Sequence, residues 1–182
     1  AVAQLLKDGD LQRDRACIRF RASGHDLYVR QLALRYGLDD VVDLAPPIPY
    51  REAIAEMMGA DLLLLFQGSQ FNRQIPAKLY EYVRAGRTVL ALLDYSGQTA
   101  EVLRGYRGHL MAEIDNPEEV QSRLSQWLTA RQCNEHQMEL AKSRELVKAN
   151  SRESQAVHLA RLLAASTGGE EAAEQHAQPR PL

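Results

Sequence analysis

The stretch QFNRQIPAKLYEY, residues 70–82, sets a loop arginine, a proline, a lysine and a glutamate within one short span. Pro76 suits the first turn of a helix, where its missing N–H costs nothing, so the spacing predicts a helix opening near Ala77. The amides of Ala77, Lys78 and Leu79 then project from the positive end of the helix dipole, an arrangement that takes phosphate readily. Lys78 adds a cation where a cation disfavours the helix unless an anion offsets it. Glu81 lies one turn further on and is suited to accept hydrogen bonds from vicinal hydroxyls such as those of a ribose. The alternative is a surface ion pair between Lys78 and Glu81 on one helix face, contributing a few tenths of a kcal/mol. Spacing alone leaves both readings open.

The elements that must position these residues are legible as an alternation. Short β-rich runs at Ala16 to Arg21, Val41 to Leu44, Asp61 to Phe66, Thr88 to Leu93 and His109 to Ala112 alternate with helical periodicity. The helices are expected near His25 to Tyr36, Tyr50 to Gly59, Ala77 to Ala85, Gln98 to Gly105 and Pro117 to Arg131. Such alternation predicts an α/β fold, a Rossmann-like parallel sheet flanked by helices. In open parallel sheets ligands bind outside the carboxyl ends of the strands, which is where the polar loop after DLLLLF falls. Gly37, the prolines at 46, 47 and 49, and the Asn116–Pro117 pair punctuate the same pattern.

Composition bounds the rest. With 182 residues and 45% hydrophobic residues, one well-buried domain over 1–165 is expected. Gly, Glu, Ala, Gln and Pro dominate 166–182, which predicts a disordered tail. That tail carries Glu170, Glu171 and Glu174 against Arg180, so the formal net charge of -2 leaves the body neutral. A neutral body lacks the broad positive field of nucleic-acid binders, and any anion site must be local. Cys17 and Cys133 have no metal-like spacing and fit a reduced, cytoplasmic chain. The five histidines show neither ligand spacing nor a paired nucleophile, so no metal is expected. No run approaches the ~18 apolar residues of a membrane span. A helical pattern starting at Ala1 without a cap suggests a piece of a longer protein.

The run LAPPIPYREAIAEMMGADLLLLFQGSQFNRQIPAKLYEYVRAGRTVLALLDYSGQTAEVLR resembles the donor-binding C-terminal domain of retaining group 1 glycosyltransferases of the GT-B fold. The likeness extends from about Ile18 to Arg104, with a looser echo to Leu163. The resemblance implies a nucleotide diphosphate sugar bound between two Rossmann-like domains, of which this chain is most of the second. It places the base against Pro46 to Tyr50, notably Pro47 and Ile48, the diphosphate at Ala77 to Leu79, and the ribose on Glu81. Uridine is the default base, with guanosine open. The acceptor would be a polysaccharide or glycolipid. Catalytic groups would come from the absent N-terminal domain, which would also supply any peripheral contact with the inner membrane. No obligatory metal and no cofactor beyond the donor are implied.

The chain also departs from that family. Members often carry two glutamates with seven residues between them, and the earlier position here is Arg73. Arg73 is therefore a candidate phosphate contact or a solvated loop residue, and contacts to the donor sugar are left unassigned. In DYSGQTAEVLR, Gly97 and Thr99 fall on the ligand-facing rim, with Thr99 either a helix cap or a donor contact. Two rival functions share the architecture: a sugar-nucleotide 2-epimerase, and a non-catalytic Rossmann-like nucleotide-binding or regulatory module that has lost the chemistry. The role of Glu81 separates the module from the transferase, because a carboxylate facing a ribose has no purpose in a domain that binds none.

Overall fold

The computed structural model describes residues 1–166. Helix α1 (Val2–Asp8) and a 3-10 turn at Arg13–Arg15 lead into β1 (Ile18–Arg21), α2 (Asp26–Arg35), β2 (Val42–Ala45) and α3 (Tyr50–Gly59). Then follow β3 (Leu62–Phe66), a 3-10 turn at Ser69–Phe71, α4 (Ala77–Ala85), β4 (Thr88–Leu93), α5 (Gln98–Arg104) and β5 (Leu110–Glu113). Helices α6 (Pro117–Ala130), α7 (Asn134–Ala149) and α8 (Arg152–Ser166) close the described chain. The architecture is α/β and Rossmann-like in general form. The expected disordered tail lies, beyond Ser166, outside the described residues.

The expected continuous sheet is instead divided. Strands β1 and β2 pair in parallel as one sheet, and β3, β4 and β5 form a second parallel sheet in the order β3-β4-β5. The registers run Ile18 against Val42, Leu62 against Thr88, and Leu90 against Leu110. Local pattern sets strand type, but which strands pair is decided by distant contacts, which no local pattern reports.

Core apolar residues gather on the second sheet. On one face Leu65, Val89, Ala91 and Leu93 pack with Leu79 and Val83 of α4, Ala100 and Leu103 of α5, and Val147 of α7. On the other, Leu90, Leu92 and Ala112 pack with Val120 and Leu124 of α6. Strand β4 is buried along its whole length, as the central strand of a sheet covered on both faces should be. Trp127 is buried on α6, with the Arg131 guanidinium 5.3 Å from its ring centroid.

Several local readings hold in detail. Asn116 Oδ1 accepts the Glu119 amide at 3.0 Å ahead of Pro117, the capped start expected of α6. Asn150 and Ser151 separate α7 from α8, and Ser151 Oγ accepts the Ser154 amide. The apolar end after this break, expected to dock on the domain or on a missing one, buries no residue on this body, whereas α7 does. Leu140, Ser143 and Val147 of α7 are buried, whereas no residue of α8 is, with Leu159 and Leu162 exposed.

Candidate functional site

Helix α4 is oriented by its apolar stripe. Leu79 and Val83 are fully buried, and Lys78 and Glu81 lie three residues apart beside that stripe, Lys78 exposed and Glu81 half-buried. Pro76 is the N-cap residue, with no side-chain cap, and the first turn holds no acidic residue. The amides of Ala77 and Lys78 have no hydrogen-bond acceptor among the described residues. Leu79 departs from expectation: its amide donates to the Pro76 carbonyl at 2.9 Å, so two amides rather than three are free at this helix start. An i to i−3 bond of this kind tightens the first turn and consumes one donor.

Lys78 and Glu81 do not form the surface ion pair that their spacing allows. Neither side chain, nor that of exposed Arg73, has a hydrogen-bond or ion-pair partner among the described residues. Burial, reinforced by the Glu81 charge, pushes the Tyr82 phenol above its ordinary pKa.

The loop that delivers α4 is stitched through Gln67 and Asn72. Gln67 Nε2 donates to the carbonyls of Phe71 at 2.7 Å and Gln74 at 2.8 Å. Asn72 Nδ2 donates to Asp94 Oδ2 at 2.7 Å, and the Gln98 amide returns to the Asn72 carbonyl at 2.8 Å. Hydrogen bonds from the Ser96 amide, and then from the Asn72 and Ser96 side chains, hold the Asp94 carboxyl below its usual range. The loop after β3 and the loop after β4 therefore form one rim at the carboxyl ends of their strands. Gln67 Oε1 is sealed from solvent and has no partner among the described residues.

Thr99 belongs to this stitching. Its hydroxyl donates to the Gln74 carbonyl at 3.0 Å and the residue is buried, so it does not cap α5. The N-cap residue of α5 is Gly97, which is also buried. A Cβ on Gly97 would stand 3.0 Å from Asn72 Oδ1, which makes this glycine a packing requirement of the rim. The turn after β4 at Gly97 and the helix start at Thr99 fall where the sequence placed them, but the bond from Thr99 to the Gln74 carbonyl was not foreseen. The signal for the stitching was the density of amide and hydroxyl side chains immediately after an apolar strand.

Pro47 and Ile48 stand apart from this group. They lie in the loop after β2, Pro47 exposed and Ile48 half-buried, and no hydrogen bond or ion pair joins them to α4 among the described residues. Their loop is tethered instead by Arg21, which donates to the Pro46 carbonyl at 2.5 Å while its guanidinium grips Glu56 of α3 through two nitrogens. Arg19, two residues back on the same face of β1, bonds Asp43 at 2.6 Å and Glu56 at 3.3 Å. This charged layer was missed in the sequence, because its partners come from three separate elements.

Among the described residues, no three His, Cys, Asp or Glu side chains are grouped so as to hold a metal ion, and no helix is long and apolar enough to cross a membrane. No protein-family model matches the chain, and no curated protein matches it either.

Proposed function

We propose that this chain is the donor-binding domain of a glycosyltransferase that uses a nucleotide diphosphate sugar. The diphosphate is held by the amides of Ala77 and Lys78 with the Lys78 ammonium, and the ribose hydroxyls by Glu81. Arg73, on the loop before the helix, supplies a second positive charge near the phosphates. One observation carries the reading: two free amides and the unpaired side chains of Lys78 and Glu81 lie within the first two turns of one uncapped helix. A rigid rim stands behind them, so binding orders few groups.

In the complete enzyme the bond between the anomeric carbon and the diphosphate breaks, and the departing charge is met by helix amides and basic side chains aimed at it beforehand. The acceptor, a polysaccharide or glycolipid, and the groups that act on it belong to a second domain. Calorimetric titration of the chain with UDP and with GDP tests the reading. Saturable binding of one nucleotide, weakened tenfold or more in Glu81→Ala with folding unchanged, is expected. Equal affinity in Glu81→Ala would sink the assignment.

A further inference from the structure

Helix α7 is held to the body by few apolar contacts and one polar layer. Its buried residues are Leu140, Ser143 and Val147, and Val147 alone joins the cluster that Leu79 and Val83 of α4 share with the sheet. The next helix, α8, buries no residue and so adds little to this hold. The polar layer lies where β4 and β5 begin. Ser143 Oγ donates to the Arg107 carbonyl at 2.7 Å, Glu139 faces the Arg107 guanidinium at 3.6 Å, and His136 Nε2 meets Thr88 Oγ1 at 2.8 Å. Leu140 packs so closely on Gly108 that a Cβ there would stand 2.9 Å from its Cδ2.

Next to these contacts sits His109, with Nδ1 accepting the Val89 amide at 3.1 Å and Nε2 sealed from solvent without a partner among the described residues. A second proton would turn Nδ1 into a donor facing that amide, and Val89 is fully buried, so the amide has no water to turn to. A proton on His136 would set a cation in the first turn of α7, against the helix dipole and beside buried Thr88. Burial first, and then the charge of His136, disfavour the charged form of His109, and burial disfavours that of His136. Neither ring is bonded to a carboxylate among the described residues. Of the charged side chains that flank the layer, Glu139 is engaged by Arg107 and Lys142, Arg87 donates to the Met58 carbonyl, and Glu135 is exposed. Lys142 above all holds the Glu139 carboxyl below its usual range, so it titrates only after the histidines.

We propose that α7 is an acid-released clamp: protonation of His109 and His136 frees α7 from the sheet and from α4, while β3, β4 and β5 keep their packing. Release carries His136 into water and uncovers residues 107–109, so both charges are solvated in one step. The remaining members of the cluster, Leu65, Val89, Ala91, Leu93, Ala100 and Leu103, come from the sheet and α5 and stay packed with α4. Because the folded values are lowered, the clamp is fully closed above the unfolded value of 6.5 and loosens as pH falls towards about 4. With α7 goes cover from Leu79 and Val83, the packed side of the helix that carries Lys78 and Glu81, so release also loosens that helix. Nothing in this clamp depends on the nucleotide reading.

Amide hydrogen exchange of the whole chain tests it, with protection corrected for the intrinsic pH dependence of exchange. Between about pH 7.5 and 5.5, titration of His109 alone should lower the protection of the Leu140, Ser143 and Val147 amides by about tenfold. At both pH values these amides should exchange at least roughly tenfold faster than those of Val89 to Leu93 in β4, because the helix opens while the sheet stays closed. Protection in α7 equal to that in β4 overturns the proposal, since the helix would then open only with the whole domain. Protection in α7 that does not change with pH overturns it as well. His136→Gln replaces a half-buried ring and should show a shallower fall with pH, and a fall as steep as in the natural chain removes His136 from the clamp and overturns the proposal as stated.

Discussion

His109 makes the fold sensitive to acid in a window that carboxylates do not reach. Its Nδ1 accepts the Val89 amide at 3.1 Å, so the ring must be neutral with its proton on Nε2. That Nε2 is sealed from solvent and has no partner among the described residues, and burial, helped by nearby His136, lowers the pKa from 6.5 to about 4. A depressed folded pKa means that the stabilisation is complete above the unfolded value of 6.5 and is lost as pH falls towards about 4. Linkage then gives a loss on the order of 1 kcal/mol by about pH 5.5 and on the order of 2–3 kcal/mol by about pH 4.5. His136, whose Nε2 meets Thr88 Oγ1 at 2.8 Å, is lowered by burial and adds to the loss in the same direction. Carboxylates held below their usual range, such as Asp94 and Glu119, act only at lower pH. The assay is urea unfolding across this range for the natural chain and for His109→Asn, which keeps an acceptor near the Val89 amide but cannot titrate. A natural chain whose midpoint stays level between about pH 6.5 and 4.5, or a variant with the same slope, would refute the account.

Gly108 and Thr99 offer shorter tests. Gly108 has φ +79°, and a Cβ there would meet Leu140 Cδ2 at 2.9 Å and the Leu140 amide nitrogen at 3.1 Å. Gly108→Ala should cost about 2–4 kcal/mol from the left-handed backbone and the displaced α7, read by thermal or chemical denaturation. Thr99→Val removes the donor to the Gln74 carbonyl but leaves that of Gln67, so a loss of about 0.5–1.5 kcal/mol is expected, with Thr99→Ser restoring it. In calorimetry Thr99→Val should also weaken nucleotide binding, since the loop it ties delivers α4.

What was legible in the sequence was whatever neighbours decide. Asn116 followed by Pro117, Gly37 after α2 and Pro76 before α4 each fix a boundary through their own backbone chemistry, and the helices and strands fall within a few residues of expectation. The apolar run LLLLF and the fully buried TVLALL are strands for the same reason. Distant pairing was not legible. Thr99 looked like a cap because Thr often caps, yet its partner is a carbonyl 25 positions away. Leu79 seemed to offer a free amide until the Pro76 carbonyl took it, a matter of how tightly one turn closes. The Arg19, Arg21, Asp43 and Glu56 layer joins β1, β2 and α3, and no periodicity within one element reports it.

The two halves treat charge differently, and the difference bears on function. Around β1, Arg19, Arg21, Asp43 and Glu56 are all paired with one another, as side chains that hold structure should be. Along the rim beside α4, Asn72, Asp94, Ser96 and Thr99 are likewise bonded to one another or to the backbone. Arg73, Lys78 and Glu81 are not, although Lys78 and Glu81 are spaced to reach each other. Solvation alone accounts for exposed Arg73 and Lys78, and less well for half-buried Glu81 beside Tyr82. A carboxylate kept partly dry and unpaired costs stability, and removing it should raise stability or leave it unchanged. Glu81→Ala therefore separates the two accounts in one protein: a structural carboxylate would lower the unfolding midpoint when lost, whereas a ligand-binding one loses the nucleotide and leaves the midpoint where it was or higher.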